Sequence, residues 1–248
     1  MKNKTIFYSF ISFFIFLLFW QVSVSIFEVN TTLFPSPWMV FHSLFESRQL
    51  FSDIVVSLIR LLAGVVMGIV MGIVVGLFTG RVSIVNDTLG QILNFFRFIP
   101  PLALVPLFIV WMGIGEISKI SLLAWTAFFP VWISTFNGAR NIEKNYLLVA
   151  KSLDVKWFFM LKDIIIKGSI EYILNGARIG ISFAFSVLVA AEMLGAYVGI
   201  GHRIATFQSV YRIDKMIGYI IILGIFGLIV DKFFVVLSRK ITPWKNGS

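Results

Sequence analysis

The 248-residue chain contains no cysteine and only two histidines, His42 and His202. Disulfides, thiolate metal sites and cysteine nucleophiles are thereby excluded, and two histidines cannot build a histidine metal cluster. Charge is also scarce, at 13% of residues, about half the share of an ordinary soluble domain. A soluble domain of this size could not cover its surface with so few charges, which excludes a cytosolic enzyme and a secreted module. Neither a G-x-x-x-x-G-K-[ST] loop nor a G-x-S-x-G or H-E-x-x-H motif occurs, so the residues support no catalytic centre and no ATP site. Any ATP-driven work has to come from another chain.

What is present is apolar. Hydrophobic residues make up 58% of the chain and the mean hydropathy is +0.94, so most of the surface meets lipid. The net charge of +9 would suggest nucleic acid in a soluble protein. In a membrane chain it reflects basic residues gathered on the cytoplasmic side. A spanning helix needs about 20 mostly apolar residues, and the sequence predicts six, over residues 6–27, 55–78, 93–112, 120–136, 172–194 and 216–237. The first follows Lys2 and Lys4, but its apolar run is too long for a signal peptide and no A-x-A site follows, so it reads as an uncleaved helix. With both termini inside, the cytoplasmic side holds 13 lysines and arginines. The outer side holds 5: Arg48, Lys119, Arg203, Arg212 and Lys215. The fold class expected is all-α, a polytopic membrane protein.

Several features inside these spans invite interpretation. Gly64, Gly68, Gly72, Gly76 and Gly80 recur at a strict four-residue step, a groove that admits another backbone, either within the bundle or from a second copy. Pro100, Pro101 and Pro106 interrupt the third span; proline removes a backbone donor and clashes with the preceding turn. Broken helices of this kind are either packing kinks or markers of a substrate path. Arg97, Arg178 and Glu192 lie in or near spans, where a charge costs about 2.5–3.5 kcal/mol on insertion scales. Arg178 and Glu192 share a helix face about 21 Å apart. Arg97 and Arg178 can snorkel, but the short stem of Glu192 suits that less.

Residues 139–171 form the one long cytoplasmic loop. Leu147, Ala150, Leu153, Trp157, Leu161 and Ile164 recur at helical spacing, with Lys151, Lys156 and Lys162 on the polar side. Such a basic amphipathic helix can lie on the inner leaflet, pack under the bundle or dock on a partner.

At this point the residues carry a resemblance. The run from Arg97 to Glu116, the run from Tyr172 to Gly180 continuing to Ala190–Gly195, and Leu33-Phe-Pro-Ser-Pro37 resemble permeases of ABC importers of the nitrate/sulfonate/taurine type, from about residue 33 to the C-terminus. The resemblance implies one transmembrane domain over residues 1–248 and two permease copies around a central path. It further implies a dimer of separate ATP-binding subunits on the cytoplasmic loops and an extracytoplasmic solute-binding protein. It implies alternating access, location in a bacterial cell membrane, and a small polar solute: an anion such as a sulfonate, taurine or nitrate, or a thiamine-precursor-like pyrimidine. The chain itself would bind no cofactor and no metal.

The family's coupling pattern, E-A-A, three residues, G, nine residues, I-x-L-P, falls on Leu148-Val149-Ala150, Asp154, Ile164 and Ile166-Lys167. Glutamate, glycine and proline are replaced by Leu148, Asp154 and Lys167. Leu147, Ala150, Leu153, Asp154, Trp157 and Leu161 are the ATPase-coupling residues this implies. Arg97, Pro100, Pro101, Arg178 and Glu192 are candidates for the path. A secondary transporter or channel is the rival class, but no inverted repeat is visible.

Overall fold

In the computed structural model, which describes residues 2–26 and 30–243, every regular element is helical. Phe27, the expected end of the first span, and Lys245, one of the basic residues assigned to the cytoplasm, lie outside the described residues. The helices are α1 (Lys2–Ile26), α2 (Pro37–Phe45), α3 (Leu50–Arg81), α4 (Ser83–Val85), α5 (Gln91–Arg97), α6 (Val105–Met112), α7 (Glu116–Arg140), α8 (Lys144–Ser152), α9 (Trp157–Phe159), α10 (Lys167–Gly195), α11 (Ile200–Ser209) and α12 (Ile213–Ile241). A π-turn over Asn86–Gly90 joins α4 to α5, and another over Met160–Ile166 runs α9 into α10. Four helices among the described residues are long and apolar enough to cross a membrane, or five if the bent pair Ser83–Arg97 and Pro101–Met112 is one crossing.

The glycine step determines the core. A methyl group at Gly64 would lie 2.5 Å from Leu123 Cβ, at Gly72 2.8 Å from Val131 Cβ, and at Gly80 2.9 Å from Ala139 Cβ. The groove of α3 is thus filled by α7 of the same chain, the two helices running parallel with their backbones nearly touching. All five glycines face α7 of the same chain. On the other side of α7, Gly176 meets Ser134 and the Pro130 carbonyl, and Gly180 meets the Ala127 carbonyl. There α10 runs antiparallel. Small residues on both flanks therefore sandwich α7, whose Leu123, Ala127 and Val131 are fully buried. Such contacts gain close dispersion rather than hydrophobic energy, because lipid competes equally for apolar surface. By contrast α12 is barely covered in the single chain.

The third span is broken where its prolines fall, and the break is sharper than a kink in one helix over 93–112. The chain extends at Pro100 (ψ 124°), a 3-10 turn occupies Pro101–Leu104, and the two helical arms meet at 87°. Pro101 and Pro106 sit in the first turns of new helical segments, where a missing N–H costs nothing. The prolines therefore end one arm and start the next instead of kinking a continuous helix.

The 139–171 segment also differs from a single amphipathic helix. The α8 helix stops at Ser152, and Asp154 takes φ +47°, the left-handed region that a side chain adopts only at a cost. The position where the family carries glycine is thus one whose backbone favours glycine. The break splits the apolar stripe. Ala150, Leu147, Leu161 and Ile164 pack with Leu77, Ala139 and Ile165 beneath the bundle, whereas Leu153 and Trp157 are 72% and 54% exposed.

Candidate translocation site and coupling surface

The bend in the third span opens a cavity of about 290 Å³ against the middle of α7 and α10, lined by Arg97, Pro101, Thr126, Phe129, Ser134 and Phe183 among others. Nearly all of its wall is apolar. Thr126 donates its hydroxyl to the Leu122 carbonyl at 2.8 Å, so it offers no free proton. Arg97 is exposed, its guanidinium 5.1 Å from the Phe98 ring centroid, and no carboxylate pairs with it among the described residues. Pro101 lies in this wall, while Pro100 forms the bend itself and is not among the lining residues.

Glu192 does not line an open path. It is fully buried at the far end of the bundle from α8. Its Oε1 accepts from Arg60 Nη1 at 2.7 Å and Ser57 Oγ at 2.8 Å, and its Oε2 accepts from the Gly201 N–H at 2.9 Å. Arg60 also donates to the Val198 carbonyl at 2.6 Å and forks onto Glu116 at 2.6 and 2.7 Å. Beside it, Asp53 accepts from the Gly199 N–H, from Arg203 and from the Tyr219 hydroxyl. Ser57 accepts from the Ile200 N–H at 3.0 Å. The first N–H groups of α11, which have no partner within their own helix, are thus satisfied by side chains from α3 and α10. Glu192 is a clasp for α11 because burial without partners would be prohibitive for a carboxylate. Gly199 at φ +130° leaves no room for a side chain there: a methyl would lie 2.5 Å from Glu192 Oε1.

The sequence reading missed Asp53, Ser57, Arg60, Glu116, Arg203 and Tyr219. The signal available was the presence of Arg60 in one span and Glu192 in another, since intramembrane charges of opposite sign tend to find each other.

Arg178 lies elsewhere again. It forks onto Asp231 of α12 at 2.7 and 2.8 Å, at the level where Gly176 and Gly180 of α10 pack on the middle of α7. Arg97, Arg178 and Glu192 therefore occupy three separate sites. At the end of the bundle that carries α8, Tyr146, Leu148, Val149, Leu153, Trp157 and Phe158 present exposed apolar side chains, a candidate docking face. Of the residues expected to couple, Leu153 and Trp157 belong to it. Asp154 shapes the turn between them, and Leu147, Ala150 and Leu161 hold α8 against the bundle.

Long apolar helices packed backbone to backbone, with a broken crossing beside a mid-bundle cavity, define a polytopic membrane permease. Residues 64–243 match the family described as binding-protein-dependent transport system inner membrane component. A Bacillus subtilis (strain 168) permease named for aliphatic sulfonate transport is 34% identical, covering 92% of this chain and 83% of its own. The taurine transport system permease of Escherichia coli (strain K12) is 28% identical over 91% of this chain and 85% of its own. The nitrate import permease of a Synechocystis species is 31% identical over 77% and 70%. A crystal structure of an amino acid ABC transporter superimposes with a TM-score of 0.65 at 16% identity, covering 81% of this chain and 97% of that one; it shows the shared fold. The chain belongs to the binding-protein-dependent inner membrane components, as a permease subunit of the ABC importers related to the sulfonate, taurine and nitrate permeases.

Proposed function

We propose that this permease carries a small organic anion of the sulfonate type through the cavity at Arg97, by alternating access. The observation that carries this reading is the Arg97 guanidinium, which has no carboxylate partner among the described residues and sits at the break of a crossing beside an apolar-walled cavity. A thiamine-precursor-like pyrimidine is less well suited, because the hollow offers a cation and few neutral hydrogen-bond groups. In the same reading α1 and the bent pair complete six crossings, both termini are cytoplasmic, and residues 1–248 form one transmembrane domain. Two copies pair around the path, and a solute-binding protein delivers the anion from outside.

ATP is hydrolysed on a separate dimer seated on the apolar surface around Leu153 and Trp157. The geometry supporting this is the exposure of those side chains on a segment braced by Ala150 and Ile165. The test is uptake of labelled ethanesulfonate by cells carrying the complete importer, with membrane abundance measured in parallel. Arg97→Gln abolishes uptake at normal abundance, and Arg97→Lys retains part of it because the charge remains. Undiminished uptake by Arg97→Gln refutes the assignment of the site.

A further inference from the structure

We propose that the crevice between α10 and α12, at the end of the bundle that carries α8, seats the headgroup of an anionic phospholipid. The crevice encloses about 300 Å³, with Leu174, Phe234 and Val235 as apolar wall and Asn175, Arg178 and Arg239 as its donor groups. Its hydroxyls are already committed. Ser238 donates to the Val235 carbonyl at 2.9 Å and Thr242 to the Ser238 carbonyl at 3.0 Å. The donors that remain for a ligand are therefore N–H groups. Arg239 is exposed on the last turn of α12 and has no carboxylate partner among the described residues. Arg178 is held in place by Asp231 through Nε and Nη2, which leaves Nη1 directed to no other described group. Two guanidiniums and a carboxamide in one crevice match a phosphodiester.

The position identifies the source of the phosphate. The crevice lies between two helices long and apolar enough to span, close to the end of α12 where Arg239 and Lys240 follow the exposed Phe233, Val236 and Leu237. A headgroup bound there can lay its acyl chains along that apolar flank, whereas a free phosphate gains nothing from Leu174, Phe234 and Val235. Basic crevices between spanning helices at the cytoplasmic surface suit anionic headgroups. The Glu171 carboxylate, also in the lining, adds negative charge there, which favours a singly charged phosphodiester such as that of phosphatidylglycerol over a bare dianion. This inference rests on the membrane reading above and not on the substrate.

The experiment uses the full chain purified into nanodiscs of mixed phosphatidylglycerol and phosphatidylcholine, with retained lipid counted by native mass spectrometry after gentle release. The wild type retains phosphatidylglycerol in preference to phosphatidylcholine. Arg239→Ala lowers that retention about fivefold, the weight of one basic residue at a membrane surface, and Arg239→Lys preserves most of it. Arg48→Ala, which removes the same charge at the opposite end of the bundle, leaves retention unchanged. Inorganic phosphate at millimolar concentration does not displace the lipid. Equal retention by Arg239→Ala and wild type overturns the proposal, as does displacement by phosphate, which would mark a site for a soluble anion. Retention is read without transport, so failure here leaves the Arg97 reading standing, and failure of Arg97→Gln to affect uptake leaves this one.

Discussion

Replacing Arg60 with methionine removes the cation from the most deeply buried ion pair and leaves its partner in place. Glu192 is wholly enclosed, so its charge cannot rehydrate where it stands. Breaking a buried pair from one side costs about 3–5 kcal/mol. Because Ser57 and the Gly201 N–H still donate to Glu192, the lower end applies, about 3 kcal/mol. At about 2–4 °C per kcal/mol for a chain of this length, the thermal midpoint falls by about 6–12 °C. Glu192→Gln is milder: the carboxamide still accepts from Ser57, and Arg60 remains forked on the half-exposed Glu116. The discriminating variant is the double, Arg60→Met with Glu192→Gln. It leaves no uncompensated buried charge, so its midpoint lies above that of Arg60→Met alone, although it carries one more change. Fluorescence-detected size exclusion after heating in detergent reads all three. If the double variant unfolds below Arg60→Met, Glu192 is not the charge that Arg60 neutralises, and the clasp argument fails.

Even alanine is too large at Gly72, since its methyl would meet Val131 Cβ at 2.8 Å and the Phe128 carbonyl at 2.9 Å. Gly72→Ala therefore costs about 1–3 kcal/mol in the same thermal assay and Gly72→Leu more, while Gly224→Ala, with nothing within 4 Å, is silent. Asp154→Gly relieves a left-handed side-chain conformation worth about 1 kcal/mol and slows amide exchange in α8; Asp154→Val speeds it. Leu153→Asp places a carboxylate on the exposed apolar surface, so the ATPase fails to co-purify while permease abundance is unchanged; Lys156→Ala leaves recovery intact, because exposed charges contribute little. Full ATPase recovery with Leu153→Asp removes that residue from the docking surface.

What could be read from the sequence was what is local. Hydropathic length marks α3, α7, α10 and α12, because a spanning helix satisfies its own backbone and needs only a long apolar run. The prolines announce the break after Arg97 for the same reason, although the right angle between the arms is set by packing and carries no sequence signature. The glycine step announces a close partner without naming it, since only the chain's course shows that α7 lies alongside. Arg60 and Glu192 are 132 residues apart, and no periodicity connects them. The stripe from Leu147 to Ile164 was misleading for a particular reason. Leu153 to Lys156 contains neither proline nor glycine, so nothing local marks the turn, and apolar residues happen to continue at helical intervals on its far side. The separation of Leu153 and Trp157 from Ala150 and Leu161 became visible only with the left-handed turn at Asp154.

The sandwich of α3, α7 and α10 has a mechanical consequence. Where backbones touch through glycine and alanine, there are no long side chains whose rotamers could exchange to let one helix slide past another. At Gly64, Gly68, Gly72, Gly76 and Gly80 the facing carbonyl and Cβ atoms lie within 3 Å of where a Cβ would stand, which leaves little slack for one helix to shift against the other. The three helices therefore behave as one stiff plank running through the bundle. Shape change is left to the parts that meet it through flexible side chains or through loops: the two arms about Pro100, and the sparsely covered α12. In the proposed alternating-access cycle this assigns the moving part to the broken crossing and the still part to the plank, with the cavity at Arg97 on the seam between them.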